Sequence, residues 1–181
     1  MIKPWPKKSS KNHGDFRIFT VRSDNKISPR TNTAHDFVVI ETVNWVNVVA
    51  LTSDDQMVMV EQFRHGSETV ELEIPGGVMD PHETSPVATA IRELREETGY
   101  EGTGATLIGQ VYPNPAIMNN TCYTVLIENC RAIHPVEFDS TEDMITTLLP
   151  LKQIPELVAA GKIRHSLVVT ALYFYDLWQK R

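Results

Sequence analysis

The thirty residues from Val70 to Gly99, VELEIPGGVMDPHETSPVATAIRELREETG, constrain the fold more than any other part of the chain. Val70 to Ile74 alternates apolar residues with glutamate, the period of a half-buried strand. Pro75-Gly76-Gly77 breaks that strand, and Asp80 to Ser85 is a polar loop. Ser85 before Pro86 is a helix start, a hydroxyl cap followed by proline at the first helical position. Gly99 is the matching stop. The chain must therefore run strand, glycine loop, helix within one short span, with the helix over 86–98.

At about 100° per residue, with Glu93 set at zero, Glu96 falls at about −60° and Glu97 at about +40°. Val87, Ala90, Ile91 and Leu94 fall between about 60° and 160° on the same wheel. The helix thus has an apolar face with a carboxylate face beside it, and Arg92 lies one turn before Glu96, within ion-pair reach. A solvated helix laced with ion pairs accounts for this pattern. Three like charges side by side repel, however, and gain little from exposed pairing. A divalent cation reverses the sign, because Mg²⁺ takes carboxylate oxygens, waters and substrate phosphates. The Gly76-Gly77 loop allows close backbone approach and a carbonyl as a further oxygen donor.

The other elements follow from pattern. Strands are expected at 16–22, 37–42, 45–52, 56–63, 105–112, 121–128 and 144–149, with helices at 154–160 and 166–179. The first dozen residues, rich in Lys, Ser, Pro and Asn, read as a loose arm. The sum is an α+β chain, a mixed sheet with helices on its faces. Its 181 residues are enough for one cored domain. A net charge of −6 argues against nonspecific nucleic-acid binding. No apolar run reaches membrane-spanning length, and the N-terminus lacks the apolar core of a secretory signal. Cys122 and Cys130 show no zinc spacing and fit a reducing compartment.

GGVMDPHETSPVATAIRELREETGY resembles the Nudix box of the Nudix hydrolases: Gly, five residues, Glu, seven residues, then Arg-Glu-aliphatic-x-Glu-Glu-x-Gly-aliphatic. Gly77, Glu83, Arg92, Glu93, Leu94, Glu96, Glu97 and Gly99 fit, with Tyr100 in the last apolar place. One departure stands out: eight residues, not seven, separate Glu83 from Arg92. VEQFRHG, ELEIPGG, a late GKI before a helix, and Pro115 sixteen residues after Gly99 are similar to the ADP-ribose and nucleoside-diphosphate-sugar pyrophosphatase branch.

The resemblance implies an α/β/α sandwich with a mixed β-sheet over 37–181, and an N-terminal arm and strand region over 1–36 that is exchanged in a homodimer. It implies Glu93, Glu96, Glu97 and the Gly76 carbonyl as ligands for two or three Mg²⁺ ions, with Mn²⁺ as a substitute. It implies Arg92 as the residue that orients a glutamate, Glu96 as both ligand and catalytic group, and Arg64 and Pro115 as substrate-binding residues. A late-loop carboxylate from FDSTEDM is implied as base or ligand: Glu142, with Asp139 and Asp143 as alternates. The implied reaction is Mg²⁺-dependent hydrolysis of the diphosphate bond of ADP-ribose or another NDP-sugar, by a cytoplasmic enzyme with a small-molecule substrate and neither nucleic-acid nor membrane partner. Removal of pyrophosphate from RNA 5′ ends and ligand sensing without catalysis are the alternatives. Base stacking is left among Phe16, Phe19, Phe37, Trp45 and Tyr112.

Overall fold

A computed structural model describes residues 1–181. The chain divides into two compact units, Met1–Asn44 with Tyr112–Thr121, and Trp45–Val111 with Cys122–Arg181.

The first unit is a three-stranded antiparallel sheet, β1 (Lys7–Asp15), β2 (Thr20–Ile27) and β3 (Ala34–Glu41), in that order. Here the structure corrects the expectations of a loose arm and of a strand at 16–22. Residues 7–15 are a strand, and residues 16–19 are the turn that returns the chain into β2. In that turn Phe16 stacks on Phe19, with ring centres 5.3 Å apart, and Asp15 Oδ1 accepts from the Arg17 N–H. KKSSKNHGD has no apolar period because β1 is exposed almost throughout. Its order comes from the β2 ladder and from Asp24, which is 1% exposed and accepts from Ser10 Oγ and Arg22 Nε. The hydrogen bond from Arg22, with that from Ser10, holds the Asp24 carboxyl at about 2, against the opposing effect of burial.

The second unit contains the remaining strands and all three helices. Its strands are β4 (Trp45–Ala50), β5 (Gln56–Arg64), β6 (Thr69–Glu73), β7 (Gly76–Val78), β8 (Tyr100–Glu101), β9 (Gly104–Val111), β10 (Cys122–Glu128), β11 (Arg131–Ala132) and β12 (Met144–Pro150). Its helices are α1 (Pro86–Thr98), α2 (Ile154–Ala159) and α3 (Ser166–Gln179). A mixed sheet runs β7-β4-β10-β9, with β4 and β10 parallel and the other pairs antiparallel. An antiparallel sheet runs β12-β5-β6.

The near-continuous apolar run of β4 is explained by burial on both faces. Val46, Val48 and Ala50 pack with Val58, Ala90, Leu94 and Val125 beneath α1. Val49 packs with Met57, Met59, Leu126, Ile154, Val168 and Ala171 beneath α2 and α3. Two apolar layers on opposite faces of the strands make this an α/β/α arrangement, in agreement with the fold read from the sequence. No helix is long and apolar enough to cross a membrane.

Candidate active site

The local signals at α1 operate as expected. Ser85 Oγ accepts from the Ala88 N–H at 3.3 Å, and Gly99 ends the helix with φ 72°, donating its N–H to the Arg95 carbonyl. A side chain at Gly99 would meet more than backbone strain, because its Cβ would lie 2.3 Å from the His134 carbonyl oxygen. The inward face of α1 differs from the wheel's apolar stripe. The buried residues are Thr89, Ala90, Glu93, Leu94, Glu97 and Thr98, whereas Ile91 is exposed. The helix is rotated so that two glutamates point into the protein beside Leu94.

Glu93 and Glu97 meet the first two residues of β7. Glu97 Oε2 accepts from the Gly76 N–H at 3.0 Å, and a Cβ on Gly77 would lie 2.5 Å from the Glu93 carboxyl carbon. Gly77 leaves room for the Glu93 carboxylate, and Gly76 leaves room for the Val46 carbonyl oxygen of β4, 2.3 Å from where a Cβ would lie. Burial pushes the Glu93 carboxyl up to about 7, opposed by Arg92 and reinforced by Glu96 and Glu142. Burial likewise pushes Glu97 up to about 8, opposed by the Gly76 N–H and reinforced by Glu93 and Glu142.

Arg92 gathers the acids. Its Nε and Nη2 each lie 3.1 Å from a different Glu83 oxygen, its Nη1 donates to Glu96 at 2.9 Å, and its Nη2 lies 3.0 Å from Glu93 Oε1. The Arg92 hydrogen bonds, foremost among the influences, hold Glu83 at about 2. The extra residue between Glu83 and Arg92 thus leaves their two-pronged contact intact. Glu83 Oε2 also accepts from the Asp80 N–H.

The late loop is fastened to the end of α1. The Ile133 and His134 N–H groups donate to the Gly99 carbonyl, and the Glu137 N–H donates to the Glu96 carbonyl. Arg95 Nη2 lies 3.6 Å from Glu137 Oε1. Asp139, Glu142 and Asp143 all line the same cleft as the helix acids. Among the three, Glu142 is the one whose charge is felt by both Glu93 and Glu97. Its carboxylate accepts from the Asp139 N–H at 2.9 Å.

The cleft's other wall is basic, and most of it was not anticipated. Arg64 donates through Nε and Nη2 to Glu73 at 2.9 and 2.7 Å. His165 Nδ1 lies 3.1 Å from the same carboxylate. Arg164 grips Glu71 in the same two-pronged way. The alternation of Val70–Ile74 did put Glu71 and Glu73 on one face, but as the wet face of a half-buried strand. They are 6% and 1% exposed, because the arginines cover them. For Glu73, burial is the largest single influence and acts upward, yet the hydrogen bonds from Arg64 and His165 outweigh it and hold the group at about 2. The cleft therefore brings together Arg64, Gly76, Arg92, Glu93, Glu96, Glu97 and Glu142. Pro115 is exposed and belongs to the first unit, in its Tyr112–Thr121 segment.

Donor chemistry tests the fit to a divalent cation. Glu83, Glu93 and Glu96 share one arginine, Arg92, and burial holds Glu93 and Glu97 far above their ordinary range. Oxygen donors with unbalanced negative charge are what Mg²⁺ takes. The acids surround the Arg92 guanidinium and the Gly76 N–H and do not converge as a preformed cage, so the fit rests on their chemistry.

Comparison with known proteins agrees. The model of the NUDIX domain family matches residues 41–169. The chain belongs to the NUDIX family. The NUDIX chain is 30% identical over 133 residues to an ADP-ribose pyrophosphatase of Bacillus subtilis, covering 73% of this chain and 71% of that one. It is 25% identical over 167 residues to the ADP compounds hydrolase NudE of Escherichia coli, covering 91% and 87%. It is 31% identical over 127 residues to an ADP-sugar pyrophosphatase of Mus musculus, covering 67% and 58%. A crystal structure of an ADP compounds hydrolase superposes with a TM-score of 0.87 at 22% identity, covering 99% of this chain and 96% of that one, a likeness of fold.

Proposed function

We propose that this NUDIX protein is a hydrolase of nucleoside diphosphate derivatives that cleaves the diphosphate bond of ADP-ribose or another NDP-sugar, giving a nucleoside monophosphate and a sugar phosphate. The observation that carries the reading is the pair of buried acids Glu93 and Glu97 lining one cleft with Arg64. Relatives named ADP-ribose pyrophosphatase and ADP-sugar pyrophosphatase support the substrate class.

In this reading Glu93, Glu96, Glu97 and the Gly76 carbonyl hold Mg²⁺, or Mn²⁺ in its place, as two or three ions. The ions supply neutralisation of phosphoryl charge and a more acidic water. The protein's own residues do the rest. Arg92 fixes the rotamers of Glu93 and Glu96 and is itself fixed by Glu83. Arg64, oriented by Glu73, presents its remaining N–H groups to a phosphate. Glu142 stands on a loop that follows the segment pinned to α1 and lines the same cleft as Glu93 and Glu97, where we assign it as base or further ligand. We place the protein in the cytoplasm as a homodimer. We assign residues 37–181 to the catalytic domain, residues 1–36 to the exchanged N-terminal region, and a substrate contact to Pro115.

Purified protein with Mg²⁺ should be given ADP-ribose, GDP-mannose, UDP-glucose, a dinucleoside polyphosphate and capped RNA. Release of AMP and ribose phosphate, or the matching pair from another NDP-sugar, is expected. Turnover of capped RNA alone would favour the RNA-end alternative, and binding without turnover of any compound would favour a sensor.

A further inference from the structure

Arg164 has no part in the site as assigned, and its setting is unusual. Glu71 is 8% exposed at its side chain, whereas Arg164 is 55% exposed and lines the cleft. Arg164 Nε donates to both Glu71 oxygens at 2.9 and 3.0 Å, and its Nη2 donates to one at 2.8 Å. Thr69 Oγ1 donates to the same carboxylate at 2.5 Å. The acid is held inside and the guanidinium is presented outside.

Arg64 repeats the arrangement on Glu73, with side-chain exposures of 43% and 2%. Both arginines are gripped through Nε and Nη2, so each keeps the N–H groups of Nη1 unpaired. That second edge is the one that takes a carboxylate or phosphate in two-pronged fashion. A tie that only fastened the loop before α3 to β6 could be made as well by apolar residues, since an ion pair with an exposed partner stabilises little.

The two forks are not equivalent in position. Glu71 and Glu73 are two residues apart on one strand, about 7 Å. Gly76, which donates to Glu97, follows Glu73 by three residues and Glu71 by five, so Glu73 with Arg64 lies nearer the α1 acids than Glu71 with Arg164. Along the cleft the order is therefore the α1 acids, then Arg64, then Arg164. A diphosphate held between the acids and Arg64 leaves Arg164 facing what lies beyond it.

The geometry points to Arg164, set by Glu71, as an anion-binding fork that selects nucleoside diphosphate substrates whose sugar half carries a second negative group, a carboxylate or a phosphate. The inference rests on the hydrolase reading above and adds the character of the sugar.

The test uses three compounds with the same base and diphosphate, carrying glucose, glucuronate or glucose 6-phosphate. Wild-type protein should favour at least one charged sugar over glucose in kcat/KM by about tenfold, the value of one charge-assisted hydrogen bond. Which charged sugar is favoured identifies the anion. Arg164→Ala should bring that ratio to about one, Arg164→Lys should restore part of it as a point charge, and Glu71→Gln should lower it by releasing the fork. A structural tie would move thermal stability and leave the ratio alone. A wild-type ratio of one or less, or a ratio that survives Arg164→Ala, overturns the inference. If no compound is hydrolysed, the hydrolase reading fails. The same ratio taken from calorimetric binding, with the same variants, then decides the fork by itself.

Discussion

Gly77→Ala tests the packing of loop against helix. An alanine Cβ at this position would lie 2.5 Å from Glu93 Cδ and 2.6 Å from each carboxylate oxygen, where ordinary contact begins at 3.4 Å. The carboxylate must therefore move by about 0.9 Å, the difference between 3.4 and 2.5 Å. It has little room, being 9% exposed and tied to Arg92 at 3.0 Å. A displacement of about 1 Å in a catalytic constellation costs about 100-fold in rate. We expect kcat for ADP-ribose with Mg²⁺ to fall about 100-fold, with the melting temperature within a few degrees of wild type. The displaced atoms are the end of a flexible side chain, so the backbone keeps its ladder. Gly76→Ala is the contrast, because its Cβ would lie 2.3 Å from the Val46 carbonyl oxygen, which is backbone. That variant should lose stability and activity together. Gly77→Ala with activity within twofold of wild type, or with losses that only follow unfolding, would refute the reasoning.

Two further outcomes follow from the charges. Glu93 and Glu97 are raised in the folded state to about 7 and 8 from an ordinary value of 4.5, so the stability linked to them is present below pH 4.5 and is lost as pH rises through 7 and 8. Without divalent cation the free energy of unfolding should fall between pH 5 and 8, by up to about 1.4 kcal/mol per pH unit for each group, with the melting temperature falling alongside, and Mg²⁺ should raise both more at pH 8 than at pH 5. A flat profile, or an equal Mg²⁺ effect at both pH values, contradicts the site. Glu83→Ala removes the two-pronged partner of Arg92 and should lower kcat about 10- to 100-fold, the usual cost of losing a group that orients ligands; unchanged kcat would show that Arg92 is held without it.

The parts of the fold legible in the sequence are those fixed by neighbours along the chain. Ser85, Pro86 and Gly99 bound α1 through local capping, and the doubly buried β4 shows as an apolar run. β1 was not legible, because a polar strand exposed on both faces carries no period and is ordered by its ladder to β2. The carboxylate face of α1 was visible on a wheel, but its burial was not, since that depends on how the helix rolls against β4 and β7. Glu71 and Glu73 looked like wet-face residues. Arg164, the partner of Glu71, and His165, a partner of Glu73, lie 93 and 92 residues away in the chain, and no spacing rule reaches that far.

The central claim is that Glu97 serves a cation and not the fold. Glu97→Gln retains an acceptor for the Gly76 N–H and removes a buried acid that the protein holds at about 8. Measured together at pH 8, Mg²⁺-dependent hydrolysis of ADP-ribose should fall by at least about 100-fold while the melting temperature without cation stays level or rises. Full activity in this variant, or loss of activity only through unfolding, would contradict the account.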